Sequence, residues 1–162
     1  MINTLSGIIV ERGQIDMQGD SRVPAWGEKK TTDLPGSSIL VVEDDGVIAL
    51  RIIELLAGAG YIVRDPVASG EDAVAEITRS PPDLIIMDIG LTGMIDGLEA
   101  ARLIRNEHDI PVIFLTSYAD DDRLGRARDI SPFGYLIKPF RDDKLLESIE
   151  GALIRNYLQD AK

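Results

Sequence analysis

Apolar residues recur along this chain in two alternating rhythms. Runs of four with no polar interruption occupy 39–42 (Ile-Leu-Val-Val), 84–87 (Leu-Ile-Ile-Met) and 112–115 (Val-Ile-Phe-Leu). Such runs are expected of strands buried on both faces of a sheet. Between them, apolar residues fall three and four apart, as on one face of a helix. Ile48, Ile52, Leu55, Leu56 and Ala59 form the first stripe, closed by Gly58 and Gly60. Residues 61–67 read as a weaker strand interrupted by Pro66, which belongs on a sheet edge. Ser69, with Asp72 three residues on, caps a second helix that buries Ala73 and Ile77 and stops at Pro81-Pro82. Asp96 with Glu99 caps a third, carrying Leu98, Ala101 and Ile104 inward. Pro111 precedes the strand at 112–115. A short polar helix is expected over 121–130, a fifth strand over 133–137 and a last helix over 142–158, with Leu145, Ile149, Ala152 and Leu153 on one stripe.

Five strand-then-helix repeats with short connections predict an α/β fold. Crossovers between parallel strands are right-handed almost without exception, so helices must cover both faces of one sheet. The weak second strand belongs at an edge and the first, third and fourth strands in the middle. This is the flavodoxin-like, doubly wound (βα)5 arrangement with sheet order 2-1-3-4-5, whose switch point lies between strands 1 and 3. Residues 1–36 differ: glycine and proline punctuate them, and they are expected to be a disordered or loosely docked tail ahead of a domain over 37–158.

Composition narrows the function. The chain has 162 residues, 44% hydrophobic, enough for one domain with a real core. It contains no cysteine, so thiolate metal sites and cysteine nucleophiles are excluded. A formal net charge of -11 repels nucleic-acid phosphates and anionic lipid, so no direct nucleic-acid contact is expected. No apolar stretch approaches the ~20 residues that span a bilayer. With no signal-peptide pattern at the N-terminus, a cytoplasmic protein without membrane insertion is the expectation.

The charged residues lie where strands leave the core. Glu43-Asp44-Asp45 follows the first strand, Asp88 ends the third, Thr116 ends the fourth, and Lys138 follows the fifth. In an open parallel sheet these ends converge on one crevice. Crowded carboxylates without histidine or cysteine favour Mg²⁺ or a similar hard cation. Asp44 and Asp88 are the expected direct ligands, with the Gly90 backbone carbonyl as a third and Glu43 acting through a bound water. Asp45 is expected at the N-terminus of the first helix, where the dipole favours negative charge. Asp88 can also attack a phosphoryl group to form an acyl phosphate, with Lys138 and the cation neutralising the transferred charge. The Thr116 hydroxyl can donate to a phosphoryl oxygen. His108, in a polar loop, is expected at the surface.

Taken together, Ile-Leu-Val-Val-Glu-Asp-Asp (39–45), Leu-Ile-Ile-Met-Asp (84–88), Asp-Gly-Leu-Glu-Ala (96–100), Pro-Val-Ile-Phe-Leu-Thr (111–116) and Gly-Tyr-Leu-Ile-Lys-Pro-Phe (134–140) resemble the receiver domain of two-component response regulators. The resemblance covers about 37–157 and implies a chemotaxis-regulator-like, single-domain switch, not an enzyme. It implies Asp88 as phosphoacceptor, Glu43 and Asp44 as magnesium acids, Thr116 as switch hydroxyl, Tyr135 as switch aromatic, Lys138 as the phosphoryl-contacting lysine, and a cis Lys138–Pro139 bond. A sensor histidine kinase or phosphotransfer protein would supply the phosphoryl group. The face of the fourth helix, fifth strand and fifth helix would carry the signal to a protein target, with the output in trans. Near Arg155–Tyr157 a homodimer contact, an extension into a downstream domain or a solvated helix end fits equally.

The chain departs from the family after Asp88, where Leu91-Thr92-Gly93-Met94-Ile95-Asp96-Gly97 lacks the usual proline and carries one more residue. Tyr118, two residues past Thr116, is expected to shield the acyl phosphate from water. Two rival readings stand beside the switch. One is a Mg²⁺-dependent phosphatase of similar fold, although Gly90 offers no general acid two residues after Asp88. The other is a protein-binding module that is not phosphorylated.

Overall fold

The computed structural model of the chain describes residues 36–117, 122, 125–126 and 130–161. Residues 1–35 of the tail expected over 1–36, the short helix over 121–130 except for isolated positions, and Tyr118 lie outside the described residues.

Five strands, β1 (Ser38–Val42), β2 (Ile62–Val63), β3 (Leu84–Asp88), β4 (Val112–Thr116) and β5 (Gly134–Ile137), form one sheet. All pairings are parallel and the order is β2-β1-β3-β4-β5, as the sequence predicts. The described helices are α1 (Gly46–Gly58), α2 (Gly70–Arg79), α3 (Gly97–Glu107) and α4 (Asp142–Asp160). Here α4 is the last helix of the sequence reading.

Alternation along the central strands explains why both faces are covered. Leu40, Val42, Ile85, Met87, Val112 and Phe114 join Ala73 and Ile77 of α2 and Leu98, Ala101 and Ile104 of α3 in one core. Their neighbours Ile39, Val41, Leu84, Ile86, Ile113 and Leu115 join Ile52 and Leu56 of α1 and Leu145, Ile149, Ala152 and Leu153 of α4 in the other.

The caps form as the sequence predicts. Ser69 accepts from the Asp72 amide and Asp96 from the Glu99 amide. Asp45 accepts from the amides of Val47 and Ile48 at the start of α1. Ala59, assigned to the buried stripe of α1, is instead its exposed C-cap, with Ile48 and Leu55 half-buried.

The expected strand over 61–67 shrinks to two residues, and its chemistry gives the reason. The amides of Ile62 and Arg64 donate to the carbonyl oxygens of Ser37 and Ile39 at the start of the adjacent β1. The next donor in that register is Pro66, which has no N–H. The Val67 amide reaches Val41 instead, leaving an isolated bridge between Val67 and Val42. His108 is also not the surface residue expected: it caps α3 through its amide to Ile104 O, its imidazole is half-buried, and Nε2 is covered without a hydrogen-bond partner.

Candidate functional site

The register of the sheet carries the charged residues to one edge. Val42 pairs with Met87, Asp88 with Leu115 and Thr116 with Ile137, so β1, β3, β4 and β5 end side by side. Glu43, Asp88 and Thr116 are the buried polar residues among those described, at 3%, 7% and 0% exposure. Burying carboxylates is costly unless they are paired or hold a cation.

Carboxylate oxygens of Glu43, Asp44 and Asp88 lie within 4.8 Å of one another. Lys138 is the cation seated between two of them. Its Nζ lies 2.6 Å from Glu43 Oε2 and 3.3 Å from Asp88 Oδ2. One ammonium cannot neutralise three carboxylates. Burial pushes the Glu43 carboxyl up to about 7, with the Asp88 charge adding to it and Lys138 and the Asp45 amide pulling back. Burial opposes the Lys138 charge, but the Glu43 bond and the field of Asp88 outweigh it and hold the ammonium above its ordinary range. A site that pushes a proton onto one acid fits a hard divalent cation, for which oxygen ligands without histidine or cysteine are the right donors.

The remaining predicted residues fall around this cluster. Asp88 Oδ1 accepts from the Gly90 amide at 3.0 Å. The Thr116 hydroxyl donates to Ser117 O at 3.2 Å, and its carbonyl accepts from the Lys138 amide at 2.7 Å. The Lys138–Pro139 peptide is cis. Tyr135 is half-buried and stacks on Phe114, with ring centroids 6.2 Å apart and planes 23° from parallel. Phe114 lies two residues before Thr116 on β4, so the two side chains point to the same face of the sheet.

Sequence reasoning passed over three residues. Thr92 donates both its hydroxyl and its amide to Asp44 Oδ2, at 3.0 and 3.3 Å. Burial pulls the Asp44 carboxyl upward, but these bonds outweigh it and the group sits below its ordinary value. Glu71, in the first turn of α2, accepts from the Ile95 amide at 2.8 Å. Gly97 lets α3 start against β3: a Cβ there would lie 2.0 Å from the Asp88 carbonyl oxygen. Only Gly97 left a sequence signal, the Asp-Gly pair at 96–97.

Residues 39–150 match the family model described as the response regulator receiver domain. The transcriptional regulatory protein PdtaR of Mycobacterium tuberculosis is 34% identical over 117 residues, which are 72% of this chain and 57% of that protein. The positive alginate biosynthesis regulatory protein of Pseudomonas aeruginosa is 37% identical over 75% of this chain and 49% of its own length. The chain thus spans about half the length of these curated relatives. Among solved structures, the signal receiver domain of a modulated diguanylate cyclase from Desulfovibrio desulfuricans is 36% identical, with a TM-score of 0.73 over 76% of this chain and 98% of that one. The receiver domain of a sensor histidine kinase from Pseudomonas aeruginosa, described with a magnesium ion coordinated in its active-site cleft, is 33% identical, with a TM-score of 0.66 over 73% and 98%.

Proposed function

The chain belongs to the response regulator receiver family, and from that premise we propose that Asp88 is its phosphoacceptor, in a Mg²⁺ site made by Glu43, Asp44, Asp88 and the Gly90 carbonyl. The observation that carries the reading is the buried meeting of Asp88 with two further carboxylates and Lys138 at the ends of separate strands.

Receiver domains work with histidine kinases or phosphotransfer proteins. On this reading an Asp88 oxygen attacks the phosphorus of a donor phosphohistidine. The P–N bond breaks, a P–O bond forms, and the donor imidazole takes up a proton. Mg²⁺, when bound, supplies charge neutralisation for the transferring phosphoryl oxygens. Lys138 already lies within reach of Asp88 and stabilises the same charge from the protein side. The buried surroundings of Asp88 limit the approach of water to the acyl phosphate.

The output follows from Thr116 and Tyr135. The Thr116 hydroxyl leaves its bond to Ser117 O for a phosphoryl oxygen, and Tyr135 moves over the space it vacates. Phosphorylation biases an existing equilibrium between the two arrangements. The surface of β5 and α4, together with the helix expected before β5, then presents a different face to a protein target in trans. This activity is placed in the cytoplasm, where histidine kinases deliver phosphoryl groups. No described helix is long and apolar enough to cross a membrane.

The test is the intact mass of the full chain after acetyl phosphate and Mg²⁺. One phosphoryl adduct is expected on the wild type and none on Asp88→Asn. Steady hydrolysis of the donor without an adduct would replace the switch by the phosphatase reading, and no reaction in a folded, Mg²⁺-loaded chain would leave a protein-binding module.

A further inference from the structure

The loop between β3 and α3 lacks the family's proline and is one residue longer, yet it is held at three points. At its start, Thr92 places two hydrogen bonds on a single oxygen of Asp44. At its end, Ile95 packs against the core and sits over the first turn of α2, where a Cβ on Gly70 would lie 2.8 Å from Ile95 Cγ1. In between, the Glu71 carboxylate accepts from the Ile95 amide at 2.8 Å. It also lies against Gly93, where a Cβ would be 3.0 Å from Oε2 and where φ is +140°. That conformation is open to glycine and strained for other residues. The Met94 side chain, at 91% exposure, adds no anchor of its own.

The three anchors are connected in sequence. Thr92 is separated from Ile95 by two residues, one of which, Gly93, lies in a positive-φ turn against the Glu71 carboxylate. An exposed loop without such a tie would sample many positions of the Thr92 hydroxyl. Thr92 holds Asp44 through one oxygen, Oδ2, and a carboxylate oxygen of Asp44 lies within 4.8 Å of those of Glu43 and Asp88.

We propose that Glu71 is a positioning residue for the cation site: by fixing residues 93–95 it holds Thr92 against Asp44, and Thr92 orients the carboxylate for the metal. The inference rests on the reading of Asp44 as a metal ligand. Partners of this kind, one step removed from the metal, restrict ligand geometry before the ion arrives.

The experiment is a Mg²⁺ titration of the full ¹⁵N-labelled chain, read at the Gly90 amide, with hydrogen exchange of the Ile95 amide as a readout independent of metal. Thr92→Val is expected to weaken Mg²⁺ about tenfold, the low end for losing such a partner. Glu71→Ala is expected to speed Ile95 exchange and weaken Mg²⁺ by a smaller factor. In the double variant the Glu71→Ala effect should largely disappear, because its route through Thr92 is gone. Glu71→Gln keeps an acceptor for the Ile95 amide and should resemble the wild type in both readouts. The proposal is overturned if Glu71→Ala frees Ile95 without changing Mg²⁺ affinity, if the two effects simply multiply, or if Glu71→Gln behaves like Glu71→Ala. A wild-type chain that binds no Mg²⁺ overturns the site reading itself, whereas normal binding in every variant overturns the latch alone.

Discussion

Lys138 Nζ lies closer to Glu43 than to Asp88, 2.6 Å against 3.3 Å. The lysine is therefore shared, and its stronger bond goes to the acid that is not the proposed phosphoacceptor. A shared cation of this kind lets Asp88 change charge while Lys138 stays anchored.

Replacing Lys138 separates its two duties. Lys138→Met removes the ammonium from the transferring phosphoryl group, and the rate of adduct formation from acetyl phosphate should fall about a hundredfold. It also removes the competitor for the carboxylates, so Mg²⁺ should bind more tightly than in the wild type. Adduct mass against time and a Mg²⁺ titration measure the two quantities. Equal losses in both would mean that Lys138 only supports the fold.

The raised Glu43 carboxyl predicts a pH dependence in the metal-free protein. Its value moves from the ordinary 4.5 to about 7 on folding. Between those values the folded chain binds more protons than the unfolded one, so stability falls as pH rises through that window. The Glu43 contribution is on the order of 3 kcal/mol, fully present below the unfolded value and lost above the folded one. Urea unfolding in EDTA between pH 5 and 8 measures it. Glu43→Gln should flatten this component, and saturating Mg²⁺ should reverse it, because the ion binds the ionised form.

Gly97 couples the fold directly to Asp88. A Cβ there would meet the Asp88 carbonyl oxygen at 2.0 Å and the Ile89 Cα at 3.0 Å, all backbone that cannot turn aside. Gly97→Ala should therefore destabilise the chain by about 3 kcal/mol. Phosphoryl uptake should suffer as well, because the strand end itself is displaced. A thermal melt and the adduct mass together check this. A stable, fully active alanine variant would show that α3 can retreat freely.

What the sequence made legible divides along the same physical line. Uninterrupted runs such as 39–42 and 84–87 specify central parallel strands, because only a strand covered on both faces tolerates them. Ser69 and Asp96 announce their helices because capping needs only residues three apart. Glu43, Asp44, Asp88 and Lys138 could be gathered because strand ends of a parallel sheet converge without knowledge of any side chain. Thr92 and Glu71 could not, since their bonds depend on the path of an irregular loop. The shortened β2 lay between these cases: Pro66 signalled an edge, but the register that made it decisive exists only once β1 is paired.

The run Glu43-Asp44-Asp45 offers three adjacent acids, and the structure gives them three separate employments. Glu43 is buried against Lys138, and Asp44 is held by Thr92 beside the cluster. Asp45 turns away to accept from Val47 and Ile48 as the N-cap of α1. Asp45→Ala should cost about 1 kcal/mol of stability, the usual loss on removing an N-cap. Its Mg²⁺ affinity and phosphoryl uptake should stay within a factor of about two of wild type, since the side chain makes no bond to the cluster. Asp44→Asn should do the reverse, removing most Mg²⁺ binding while leaving stability unchanged or slightly lowered, because the Thr92 bonds that favour the ionised carboxylate are weakened. Denaturation midpoints set against Mg²⁺ titrations separate the two variants. If Asp45→Ala were the one to lose metal, the ligand set proposed for this site would have to shift by one residue along the chain.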